Sequence, residues 1–295
     1  MTNSRMFDVR KSGALLSAMP TLVVGMREPA KSSQHGHASV AHGTAKYVVF
    51  FLLAILPGCV RGINPQQTER FQAAQKAFDA AAKPDDFVKV AAMYQELLDP
   101  PNNFISGEVY YDLGNAWMRA KQPGRAIAAY RQAQRYFPRE RHLEENLREA
   151  LKAEPDAHRP IFETILFWQN WLSYPEKFYL ATGAIALTLL LATVMLFASR
   201  RMLKRLVLGL AAFALLAVFS ALYDAWRFDY VVHGVTVEAD VVARKGNAES
   251  YEPALTENLP EGTEFRLLDR RPNWLLVRLS GGQEGWISDK AAVVY

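Results

Sequence analysis

Two uncharged apolar stretches, residues 178–199 and 206–223, constrain this chain more than any other feature in it. Each holds ten Leu, Ile, Val or Phe residues. At about −0.3 to −0.6 kcal/mol apiece near a helix centre, these favour bilayer insertion by roughly −3 to −6 kcal/mol. Spanning takes ~20 apolar residues, so the pattern predicts two transmembrane helices, 178–199 and 206–226. The loop between them, residues 200–205, carries Arg200, Arg201, Lys204 and Arg205 and no acid. Basic residues in so short a loop act as a topology signal and stay in the cytoplasm. Both outer ends then face the other side, which for a bacterial inner membrane is the periplasm. Tyr174, Phe178 and Tyr179 flank one span there, and Tyr223, Trp226, Phe228 and Tyr230 the other. Aromatic rings with polar edges prefer that depth.

The rest of the composition is restrained. The 295 residues carry a formal net charge of +4, concentrated in residues 1–46 and in the loop just described. That is too small and too scattered for a nucleic-acid surface. The chain has one cysteine, Cys59, so neither a disulfide framework nor a cysteine zinc site is available. No motif asks for a cofactor or a metal.

Residues 1–46 are rich in Ser, Gly, Ala and His and lack apolar periodicity, so a disordered N-terminal extension is expected. Residues 47–62 read as a signal peptide or anchor. Their apolar core is too short to span and has signal-peptide length, ~7–15 residues. Three fates stay open: cleavage after Gly62, lipidation of Cys59 behind Leu56-Pro57-Gly58, or retention as an anchor.

Residues 66–155 show helical periodicity. Phe71, Ala74, Ala77 and Phe78 recur at three and four residues, as do Val90, Tyr94 and Leu97. Within residues 107–140, Tyr110, Leu113, Gly114 and Trp117, then Ala126, Tyr130 and Ala133, then Pro138, match the 34-residue tetratricopeptide pattern. Gly114 and Ala126 are small where two helices should cross closely, and Pro138 stops the second helix. A looser copy lies upstream, and Leu143, Leu147 and Leu151 suggest a capping helix. In such repeats the first helices line a concave face. Here Glu108, Tyr111, Asn115, Met118 and Arg119 are its expected protein-binding residues. Residues 156–177 read as an interfacial linker helix or the last packing helix of this domain.

Residues 231–295 switch to a two-residue period broken by Pro260-Glu261-Gly262, Arg271-Pro272-Asn273 and Gly281-Gly282. This predicts a small antiparallel barrel. The segments Leu259-Pro260-Glu261-Gly262-Thr263, Trp274-Leu275-Leu276-Val277-Arg278 and Gly285-Trp286-Ile287 resemble bacterial SH3-type domains. That resemblance implies a ligand surface at Tyr251, Trp274 and Trp286, although both tryptophans are also natural half-buried packing residues.

The fold class expected is thus a multidomain membrane protein: α-helical tetratricopeptide hairpins, a two-helix transmembrane hairpin and a small all-β SH3-like barrel. In this order the parts resemble the BatE-type proteins of the bacterial aerotolerance operon over residues 47–295. The resemblance implies partners of the MoxR ATPase and von Willebrand A-domain types. Enzyme readings find no support: there is no Gly-x-Ser-x-Gly elbow, no phosphate loop and no metal-spaced His pair on a helix, and His35, His37 and His42 read as part of the disordered extension. The expectation is a non-enzymatic adaptor whose two modules are tethered about one hairpin apart. The alternatives are an envelope sensor that binds peptidoglycan and a regulatory subunit of a membrane enzyme.

Overall fold

A computed structural model describes residues 64–152, 169, 171–197 and 200–295. The expected extension, the signal or anchor with Cys59, and most of the linker helix lie outside the described residues.

Among the described residues five helices come first: α1 (Pro65–Ala80), α2 (Pro84–Leu98), α3 (Gly107–Arg119), α4 (Pro123–Gln134) and α5 (Arg141–Leu151). Local chemistry sets their starts. Proline occupies the first turn of α1, α2 and α4, where its missing N–H costs nothing. Side chains of Asn64, Ser106 and Glu140 accept from Gln66, Glu108 and His142 N–H groups at the starts of α1, α3 and α5. Short connections make each helix pack against the next. One core joins Phe71, Val90, Tyr94, Leu97, Val109 and Leu113. A second joins Ala126, Ile127, Tyr130, Ala133, Leu143 and Leu147. A Cβ on Gly114 would lie 2.4 Å from the Tyr130 ring, so α3 and α4 touch there with no room for a side chain.

Two long helices follow, α6 (Tyr174–Phe197) and α7 (Arg201–Ala225), the second ending in a π turn, Trp226–Tyr230. Both are long and apolar enough to cross a membrane. Ala181, Ala184, Ala214 and Ala217 are buried, and such small residues let helix backbones approach closely. Leucine and phenylalanine point outward; Leu196 is 80% exposed and Leu208 72%. The hydroxyls of Thr182, Thr188 and Thr193 donate to carbonyls one turn back, which satisfies them within the helix. The basic run differs from expectation. Arg201, Lys204 and Arg205 belong to the first turns of α7 rather than to a loop. Lys and Arg are good helix formers, so the helix continues past the end of its apolar stretch.

The C-terminal sheet has five antiparallel strands in the order β4-β3-β2-β1-β5. They are β1 (His233–Thr236), β2 (Glu264–Arg271), β3 (Trp274–Leu279), β4 (Glu284–Ser288) and β5 (Ala292–Val294). Leu275, Val277 and Ile287 alternate inward with Phe265, Val241 and Leu259 to form the third core. Arg271 pairs with Trp274, so Pro272-Asn273 is a two-residue turn, with Asn273 at φ 64°. Proline presets the first central position and asparagine tolerates the left-handed second. The alternation at Val235, Val237, Ala239 and Val241 suggests one longer strand, but β1 ends at Thr236. Asp240 is in the left-handed region at φ 59°, which breaks extended backbone, and only isolated bridges follow before β2.

Candidate functional site

Polar side chains of α1, α3 and α5 converge around the Tyr130 hydroxyl of α4. The Asn115 Oδ1 accepts from the Tyr130 hydroxyl at 2.9 Å and from Asn146 Nδ2 at 3.0 Å. Asn146 Nδ2 also reaches the Tyr111 hydroxyl at 3.2 Å. The Tyr111 and Tyr130 rings lie 6.1 Å apart. Asp112 sits beside this network, hydrogen-bonded by Gln75 of α1 and by Asn115. Burial first, then the nearby carboxylates Glu108 and Asp79, push Asp112 up to about 7 despite those two hydrogen bonds. Burial also raises Glu108 above the usual carboxylate range.

Of the five groove residues expected from sequence, Tyr111 and Asn115 are brought together in this network. Glu108 adds charge to it through Asp112. Met118 packs against the second core instead, and Arg119 is exposed at the end of α3. Asp112, Asn146 and Gln75 were missed. The repeat pattern marks apolar packing positions and says nothing about them, although Asp112 lies one helical turn after Glu108 and is therefore its neighbour.

The helical segment and the sheet are not separate modules on a tether. Val235 of β1 is fully buried in the second helical core, with Val293 and Tyr295 packed beside it. Gly124 at the start of α4 donates its N–H to Glu261 at 3.0 Å, and a Cβ there would meet the Thr236 carbonyl at 2.3 Å. Gly262, at φ 88°, lies under Ile127. Arg131 grips both oxygens of Glu264 at 2.7 Å, and the Tyr295 hydroxyl donates to the same carboxylate at 2.9 Å. Burial acts to raise Glu264, but Arg131 prevails and holds it below the usual range.

The helical segment also meets one end of the α6–α7 pair, the end from which the chain runs on into β1. The Tyr174 N–H donates to the Arg135 carbonyl at 2.9 Å, and Arg135 pairs with Asp229 at 2.8 Å. Its guanidinium lies 5.2 Å from the Tyr174 ring and 4.8 Å from that of Phe228. Beneath, Lys177 pairs with Asp224 at 2.5 Å, with side chains 2% and 5% exposed. Lys177 also donates to the Gln169 carbonyl at 2.5 Å, and the Gln169 side chain accepts from Ser220. Arg200, Arg201, Lys204 and Arg205 lie at the opposite end, exposed, and none forms an ion pair with a described residue.

On the sheet, Leu276 pairs with Trp286 and Trp274 with Ser288. Side chains two apart share a face, so Trp274 and Trp286 stand together opposite the core. Arg271 lies 5.7 Å above the Trp286 ring. Both tryptophans are half-buried. Tyr251 is 50% exposed on the adjoining loop, packed over Gly246. Arg244 links the two regions, bonding the Tyr251 carbonyl and bridging to Trp286.

Comparison with known protein families, with curated proteins and with solved structures finds no match to this chain.

Proposed function

We propose that this chain is a non-enzymatic adaptor of the BatE type. In this reading the first five helices are tetratricopeptide hairpins with a cap, and the sheet is an SH3-type barrel. α6 and α7 span the bacterial inner membrane with the basic run in the cytoplasm, and both folded parts are periplasmic. The observation that carries the binding role is the convergence of Gln75, Asp112, Asn115, Tyr111 and Asn146 from alternate helices. That face offers carboxylates and amides, so its ligand is an extended or helical segment bearing amide and basic groups. The helical segment meets one end of the helix pair and the sheet packs on the helical segment, which supports the placement of both on one side of the membrane. Partners of the von Willebrand A-domain and MoxR ATPase types follow from the resemblance.

The test is photo-crosslinking in native membranes from position 119, at the rim of the proposed groove. Recovery of a von Willebrand A-domain protein, reduced by Glu108→Gln with Asp112→Asn, is the expected result. Unchanged capture in that variant rules out this face. The paired tryptophans and Tyr251 favour a second reading, a peptidoglycan-binding sensor. Retention of the full chain on peptidoglycan, abolished by Tyr251→Ala, would establish it.

A further inference from the structure

A cleft of about 730 Å³ opens where the helical segment, the sheet and the α6–α7 pair meet. Its size lies in the range of ligand sites, ~300–1,000 Å³. Five arginines line it; Arg131 and Arg278 are held by Glu264 and Glu284, which leaves Arg135 after α4, Arg227 from the π turn and Arg266 from β2. Arg227 and Arg266 form no ion pair with a described carboxylate. Both act on His233 between them, lowering its proton affinity after burial has done so. Arg135 has its carboxylate, Asp229, but its Nε–H is buried without an acceptor. A buried charged donor left this way costs free energy, and negative charge entering the cleft offsets part of that cost.

Its carboxylates are each engaged elsewhere: Glu264 with Arg131, Asp224 with Lys177, Glu144 with Arg148, and Glu140 on the His142 N–H. One side of the wall is apolar and aromatic, with Leu172, Tyr174 and Phe228. Leu172 just precedes α6, Tyr174 opens it and Phe228 lies in the turn ending α7, so this side continues into the outward-facing leucines of the two helices. Cations at the mouth, beside an apolar wall running into the hydrocarbon-facing surface, match an amphiphile with an anionic head.

We propose that this cleft holds the phosphate headgroup of an anionic phospholipid, with Arg227 and Arg266 on the phosphate and the acyl chains along α6 and α7. The lipid fills the joint between the two folded parts and the membrane helices. The inference rests on α6 and α7 spanning the membrane.

The full chain, extracted in a neutral detergent, is titrated calorimetrically with dihexanoyl phosphatidylglycerol, dihexanoyl phosphatidylcholine and inorganic phosphate. Saturable binding of the phosphatidylglycerol, with the other two far weaker, is expected. Arg227→Ala with Arg266→Ala should weaken it roughly thirtyfold, the loss of two basic groups beside an anionic head. Arg271→Ala, over Trp286 and outside the cleft, should leave it unchanged. If the double variant melts early, Arg266→Glu alone, at an exposed strand position, takes its place. Equal binding of phosphatidylcholine, binding of inorganic phosphate as tight as of the lipid, or binding indifferent to the arginines overturns the proposal. A chain released from membranes by alkaline carbonate instead overturns the spanning reading beneath it.

Discussion

Asp112 is held in the fold as a carboxyl group that prefers its proton. Its folded value of about 7 exceeds the ordinary ~3.9 of an unfolded chain. Below about pH 4 both states are protonated and nothing is lost. As pH rises through 7 the folded chain must carry a confined negative charge, so stability falls. We expect the detergent-solubilised chain to be roughly 1–2 kcal/mol less stable at pH 8 than at pH 5 from this group, allowing for partial solvent screening. Asp112→Asn should flatten that slope and raise the melting midpoint at pH 8. An identical slope in the variant would mean the burial is misjudged. The sequence suggested a polar face on α3 through Glu108, Tyr111 and Asn115, yet Asp112 was invisible. Its raised value comes first from burial, which only the packed helices create, and Asp79 of α1, more than thirty residues away in the chain, adds to it.

At the scale of elements, α3 and α4 depend on Gly114 and the hairpin on Lys177 with Asp224. Gly114→Ala forces a Cβ into the Tyr130 ring. Overpacking of this kind costs about 1–3 kcal/mol, and a drop of several degrees in melting midpoint is expected. No change would show that the two helices have room to part. Lys177→Met leaves Asp224 charged and buried, a loss of about 3–5 kcal/mol. Lys177→Met with Asp224→Leu should recover most of it, because an apolar pair of similar volume pays no desolvation cost. If the double variant is as unstable as the single one, the pair's role is not electrostatic. The two-residue turn at Pro272-Asn273 and the tight crossing at Gly114 were readable from residue type alone. The ion pair was not, since Lys177 and Asp224 look like ordinary charges flanking two apolar stretches.

Across the whole molecule, the helical segment and the sheet behave as one body through Arg131, Glu264, Tyr295 and Val235. Glu264→Gln should therefore speed hydrogen exchange in both α4 and β2, with a stability loss of about 1–3 kcal/mol. Faster exchange confined to β2 would restore the tethered picture. Because Arg131 holds Glu264 below its ordinary value, the pair's contribution is present above about pH 4.3 and is lost as pH falls through the folded value. Orientation is also a property at this scale. Replacing Arg200, Arg201, Lys204 and Arg205 by Gln removes the positive charge at the start of α7. A reporter fused after Tyr295 should then divide between the two sides of the membrane, whereas it should be periplasmic in the parent. A reporter unaffected by the change would assign topology to another signal.

What the chain determines by itself is local: two stretches apolar enough to leave water, helices with starts set by proline and caps, and strands set by alternation and turn chemistry. These depend on residues within one or two turns of each other, so periodicity reveals them. Tertiary structure alone decided which surfaces meet. Val235, alternating like any strand residue, fills a helical core; Gly124 is small because a strand carbonyl presses on it; and Arg131 finds Glu264 across 133 residues. Such contacts follow from the complementary shapes and charges of surfaces that exist only once each element has folded.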